Sequence, residues 1–158
     1  MTSNWTARPQ RLSDAGRLAL EAEEGLRLTA YQDRGGVWTI GYGHTGPEVH
    51  RGLTWSRAEA DAALAADVAF AESAVSGAVK AALHQHEFDA LVSFVYNVGV
   101  GAFRGSTLVA RLAQSPADFA GAAAEFTKWV HVAGVFAPGL LARRTREMLR
   151  FVGYGVGA

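Results

Sequence analysis

Two hydrophobic periodicities divide the chain, one near 3.6 residues and one of two. The first predicts a helix over residues 14–24, opened by Ser13 or Asp14 as N-cap and stopped by Gly25. Its expected buried stripe is Ala15, Leu18 and Ala22, spaced at about one turn. From residue 26 to 44 the period becomes two: LTAY, a QDRGG turn whose glycines permit positive φ, then VWTIGYGH. This predicts an antiparallel hairpin. On its second strand Trp38, Ile40 and Tyr42 share one face, and Val37, Thr39, Gly41 and Gly43 share the other. A face stripped of side chains beside a hydroxyl lets something bulky approach the backbone.

Beyond the hairpin the pattern is helical. Ser56 with Glu59 three residues on is a capping box, opening a long Ala-rich helix to Val75 or Gly77. A helix over 85–98 carries Phe88, Leu91, Val92 and Val95 on one face, and another is expected over 106–114. Ser115 as N-cap, Pro116 at N1 and Asp118 predict a further helix to residue 130, and the last runs over 138–152. The fold class is therefore α+β, mainly helical.

Composition bounds the possibilities. With 158 residues and 49% hydrophobic content, one compact domain can form and bury roughly two thirds of its unfolded surface. Fifteen basic residues balance fifteen acidic ones, so no global field draws the chain to nucleic acid or anionic lipid. There is no Cys, which removes disulfides and thiolate metal sites. A polar N-terminus without an apolar h-region, and no run of 18 apolar residues, predict neither export signal nor membrane insertion.

The candidate chemistry is concentrated between residues 24 and 44. A glutamate at a helix end is ordinarily solvated, Asp33 alone is an ordinary turn residue, and Thr39 alone is a good strand residue. Together they supply what glycoside hydrolysis needs: a carboxylic acid for the leaving oxygen, a carboxylate on the other side of the ring, and a hydroxyl to help hold water. Glu23 competes with Glu24 for the acid role. The negative end of the helix dipole disfavours a charged carboxylate there by ~0.3–1 kcal/mol, which helps an acid without making one.

The segment closely resembles the tailed-phage lysozymes, or endolysins, of glycoside hydrolase family 24. The matching letters of the signature EG…AY.D..G..TIGYGHTG are Glu24, Gly25, Ala30, Tyr31, Asp33, Gly36 and residues 39–46. FDALVSFVYNVGVGAFRGSTL (88–108) is similar to the family's second block, and KWV…PGLLARR (128–144) to its third. After Trp129 the chain departs from the family, with His131, Ala133 and Gly134 in place of an aromatic and paired glycines.

The resemblance implies a lysozyme-like domain over 13–158 behind a flexible arm, 1–12: a hairpin lobe (26–55), a linking helix (57–77) and a helical lobe (78–158). It implies a muramidase cutting the β-1,4 bond between N-acetylmuramic acid and N-acetylglucosamine in peptidoglycan, with inversion. The family's Glu-Gly pair selects Glu24 as general acid, with Asp33 and Thr39 positioning and activating water. His44, Tyr96, Asn97 and Ser106 are candidate substrate-binding residues, although His44 also reads as a structural hydrogen-bonding residue and Ser106 as an N-cap.

No metal or cofactor is required by two-carboxylate hydrolysis. The HQHE run at 84–87 lacks zincin spacing and reads as a solvated helix start. Arg143 or Arg144 is expected to approach Glu24, while Arg146 and Arg150 read as a solvated face. The implied partners are glycan strands and a separate holin-type permeabilising protein that releases a monomeric enzyme from the host cytoplasm to the wall. Two other classes stay in view: a catalytically idle wall-binding or scaffolding module of the same fold, and a glycosidase for a related N-acetylated polymer such as chitin.

Overall fold

The computed structural model describes Pro9 and residues 11–155, so most of the expected arm over 1–12 lies outside the described residues. Helix α1 spans Asp14–Glu24, with the Ser13 hydroxyl accepting from the Gly16 N–H and Gly25 closing it at φ 67°. Its buried face is not the expected one. Ala15, Leu18 and Ala22 are not buried, Leu18 being 68% exposed, whereas Gly16 and Leu20 are buried. The face is chosen by Asp89, a buried carboxylate that accepts the Ser13 N–H at 3.0 Å and also the Ser13 hydroxyl. Gly16 lets the helix approach it, since a Cβ there would stand 2.6 Å from Asp89 Cγ.

The sheet has three strands rather than two: β1 (Arg27–Gln32), β2 (Trp38–Gly41) and β3 (His44–Thr45), in that spatial order and antiparallel. Tyr31 pairs with Thr39, and Thr39 pairs with Thr45. The expected second strand breaks after Gly41, where positive φ at Gly41 (67°) and Gly43 (77°) turns the chain back. Between Arg27 and Tyr31, β1 bulges, and its middle pairs with residues 53–55 instead, through Ala30 N–H to Leu53 and Trp55 N–H to Leu28.

The capping box forms as expected and opens α2, Arg57–Ala78. This helix runs from the sheet to the centre of the molecule, where α3 (Gln85–Val98) packs against α2, α1 and the final helix. Every residue from Phe88 to Val95 on α3 is buried. It is therefore a core helix covered all round, not the amphipathic one its spacing predicts. Phe94 makes edge-on contacts with Phe103, Phe126 and Trp129 at centroid distances of 6.3, 5.3 and 5.4 Å. Burial of each such ring contributes about 1.5–3 kcal/mol.

Past α3 a short helix α4 (Val100–Arg104) intervenes before α5 (Thr107–Leu112), which Ser106 caps. The helix expected from Ser115 starts later: α6 spans Phe119–Glu125, capped by Asp118. Asp118 wins because its carboxylate takes the Gly121 N–H at 2.8 Å while Arg111 anchors its other oxygen at 3.2 Å. A 3₁₀ turn, Phe126–Lys128, ends it short of residue 130. A hairpin of β4 (His131–Val132) and β5 (Val135–Phe136) follows, where the sequence pattern gives no strand. Its turn holds Ala133 and Gly134 at φ 48° and 79°, the geometry of a tight type I′ connection. Helix α7, Pro138–Phe151, closes the fold.

Alanine at an exposed helical glycine ordinarily stabilises by ~1 kcal/mol. At Gly16 the clash with Asp89 reverses the sign, so Gly16→Ala should destabilise by about 1–3 kcal/mol in denaturant unfolding. An unchanged or raised midpoint would show that α1 does not depend on this approach.

Candidate active site

Glu24 is the last residue of α1, and the Gly25 cap turns the chain directly into β1. Its side chain is 14% exposed, and Oε1 accepts from Arg143 Nη1 of α7 at 2.7 Å. Arg143, not Arg144, thus fulfils the expected approach. Oε2 lies over the backbone of Gly43, where a Cβ would come within 2.9 Å of it. The glycines at the end of β2 and in the turn after it therefore admit groups of the chain itself: the Glu24 carboxylate at Gly43, and at Gly41 the Trp55 ring, which a Cβ would approach to 3.1 Å.

Arg143 is buried and committed in three directions. Besides Glu24 it donates Nε to Glu147 Oε1 at 3.0 Å and Nη2 to the Ser93 carbonyl at 3.2 Å. Burial opposes its charge, but Glu24 and Glu147 outweigh that and raise its pKa. Glu23 points elsewhere: Arg146 grips it through Nε and Nη2 at 2.5 and 2.9 Å, and this hydrogen bonding holds its carboxyl below the usual value. Arg146 does sit on the solvated face expected of it, its side chain 59% exposed, and from there it also clamps Glu23.

The other carboxylate belongs to a local loop. Asp33 is exposed, and its Oδ1 accepts the N–H groups of Gly35 and Val37, both at 2.8 Å. Its own N–H donates to the Val37 carbonyl at 2.9 Å. Thr39 is buried to 4% exposure and gives its hydroxyl proton to that same carbonyl at 3.0 Å. Its oxygen retains lone pairs to accept from another group.

The four candidate binding residues take different positions. His44 bridges Asp67 of α2 through Nδ1 and Glu48 through Nε2, both at 2.6 Å, and its ring lies 5.3 Å from that of Trp55. Tyr96 donates its hydroxyl to the Tyr42 carbonyl at 2.6 Å, and burial, followed by the Glu24 charge, pushes its pKa up. It lines a groove of about 220 Å³ with Gly43, Thr45, Asp67, Phe70 and Gly99. Asn97 is exposed, but its Oδ1 accepts from Arg144 Nη2, and both line a neighbouring cavity with Trp129. Ser106 is buried, with its hydroxyl spent on the Phe103 carbonyl at 2.6 Å and the Val109 N–H at 3.2 Å.

Sequence reasoning missed Glu147, Ser93, Asp67 and Glu48. For Glu147 a signal existed: it stands four residues after Arg143 and three after Arg144, so one helix face carries all three. His86, in the unconvincing metal run, has Nδ1 3.1 Å from the carbonyls of Arg150 and Phe151, while Glu87 takes the His84 N–H at 2.7 Å.

A family model described as Phage lysozyme matches residues 21–147. The chain belongs to the phage lysozyme family. Over 144 residues it is 39% identical to the endolysin of Acyrthosiphon pisum secondary endosymbiont phage 1, covering 89% of this chain and 97% of that relative. It is 40% identical over 143 residues to the endolysin of Bacillus phage PZA, covering 89% of this chain but only 55% of that longer protein. The solved structure of the endolysin from Escherichia coli O157:H7 phage FAHEc1 matches with a TM-score of 0.82 at 35% identity, over 92% of this chain and 96% of that one.

His44 yields a pH test. Burial alone would lower its pKa, but the bonds to Glu48 and Asp67 outweigh burial and raise it. A histidine held as its cation contributes fully below the unfolded value of about 6.5, and the contribution is lost as pH rises through the folded value. The stability gap between the parent and His44→Gln should therefore be widest below about pH 6.5 and narrow on the alkaline side. A gap independent of pH in denaturant titrations would refute the ionic reading.

Proposed function

We propose that this chain is a peptidoglycan hydrolase, a lysozyme-type muramidase that cleaves the β-1,4 bond between N-acetylmuramic acid and N-acetylglucosamine. The observation that supports the reading is a largely buried Glu24, fixed from behind by Arg143, at the end of the helix that leads into the hairpin carrying Asp33 and Thr39. Membership of the phage lysozyme family supports the substrate class.

In this reading Glu24 gives a proton to the leaving glycosidic oxygen from Oε2, since Oε1 is engaged by Arg143. Glu23 is poorly suited to that task, because Arg146 keeps it ionised. On the other side a water donates one hydrogen bond to Asp33 and one to Thr39. The Thr39 proton is already spent on Val37, so its oxygen accepts, and Asp33 Oδ1 is occupied by the loop, so Oδ2 takes the water's proton. Both of the water's hydrogens are then held, and its lone pair is free for the anomeric carbon. The bond to the leaving oxygen breaks as the water oxygen bonds, with Asp33 receiving a proton and Glu24 losing one.

His44, Tyr96, Asn97 and Ser106 are proposed to shape the cleft: Tyr96 by direct contact in the groove, His44, Asn97 and Ser106 by fixing its walls. The domain is proposed to span 13–158, of which 156–158 lie outside the described residues, with the sheet lobe at 26–55 and the helical lobe from 78 onward joined by α2. No helix among the described residues is long and apolar enough to cross a membrane. Accumulation in the host cytoplasm as a monomer, with a holin-type partner opening the way to the wall, completes the proposal.

Release of reducing ends from purified peptidoglycan tests it. Glu24→Gln should lower kcat by at least about 10²-fold and Asp33→Asn by a similar factor, with circular dichroism unchanged. A parent that binds walls but releases no reducing ends would favour the idle module, and faster cleavage of chitin oligomers than of peptidoglycan would favour altered specificity.

A further inference from the structure

Glu147 is a carboxylate that the proposed reaction does not use. It lies on α7, is 4% exposed, and does not line the groove beside Gly43. Its Oε1 accepts from Ser93 Oγ at 2.8 Å and from Arg143 Nε at 3.0 Å, and its Oε2 accepts from Arg144 Nη1. Each guanidinium then reaches forward. Arg143 holds Glu24, and Arg144 holds Asn97 and, through Nε at 3.1 Å, the Trp129 carbonyl, with its guanidinium carbon 5.0 Å from the centre of the Phe94 ring.

One carboxylate shared by two buried arginines cannot neutralise both, so each guanidinium keeps part of its charge for its next partner. Here its charge determines how much of the Arg143 charge is left to act on Glu24. The other groups facing Glu24 are Tyr96 of α3, an uncharged phenol, and the neighbouring Glu23–Arg146 pair, which neutralises itself. Asp67 of α2 is engaged with His44.

We propose that Glu147 is a positioning residue for Glu24: it fixes the Arg143 guanidinium from behind and divides its positive charge, so that Glu24 is held in place by only part of that charge. The inference rests on the reading of Glu24 as the proton donor. Glu147 also fixes Arg144, and through it Asn97, so one buried group organises two points of the cleft wall.

The test is the pH dependence of kcat/KM for reducing-end release by the parent, Glu147→Gln and Glu147→Asp. Glu147→Gln keeps the shape but leaves all of the Arg143 charge to Glu24, so the alkaline limb should move to lower pH by about one unit. Glu147→Asp restores the charge and should return the limb toward that of the parent. Should Glu147→Gln not fold, the Glu147→Gln, Arg144→Met pair keeps the buried charges balanced and should move the limb in the same direction. A limb that stays in place while activity falls equally at every pH would overturn the inference and leave Glu147 a structural counterion. An inactive parent, or an active Glu24→Gln, would instead overturn the reading on which it rests.

Discussion

The site depends on one buried guanidinium. Arg143 joins the end of α1 to α7 across 119 positions of sequence, and it does so where water cannot compensate for a broken contact. Removing one partner from such a pair typically costs about 3–5 kcal/mol, because the other charge stays buried. Arg143 therefore cannot be relaxed without consequences at Glu24, at Glu147 and at the α3 backbone, to which it also bonds. The aromatic packing around Phe94 continues this arrangement, since the same ring supports Arg144 and Trp129.

The two sides of the proposed cleft are built on different principles. Asp33 is fixed by its own loop, within four residues, through two N–H groups and a short turn. Glu24 is fixed by a residue at the far end of the chain and by the missing side chain of Gly43. The hairpin side is thus set by local hydrogen bonds, and the helical side is set only once α1, α3 and α7 have packed. His44 adds a third link, tying β3 to α2 through Asp67.

This division explains what was legible in the sequence. The Ser56–Glu59 box, the bounds of α1 and α3, and the position of the Asp33 turn are encoded by residues within one turn of each other. The wrong face of α1 follows from counting apolar residues when a glycine and a buried aspartate decide the contact. The late start of α6 follows from Arg111, seven positions away, favouring Asp118 over Ser115. Glu147 stayed unread because a glutamate in a basic helix resembles a solvated residue until its three partners are seen together. The motif singles out Glu24, Asp33 and Thr39 as candidates, whereas what holds Glu24 was legible only as far as a choice between two arginines.

The anomeric form of the first product tests the central claim most directly, followed by proton NMR during the early turnover of a glycan strand. Attack by a water held between Asp33 and Thr39, opposite a proton donor at Glu24, predicts that the new reducing end appears first as the α anomer. Initial appearance of the β anomer would mean that a carboxylate or the sugar's own acetamido group, not a water, attacks first, and would contradict the roles assigned to both sides of the cleft.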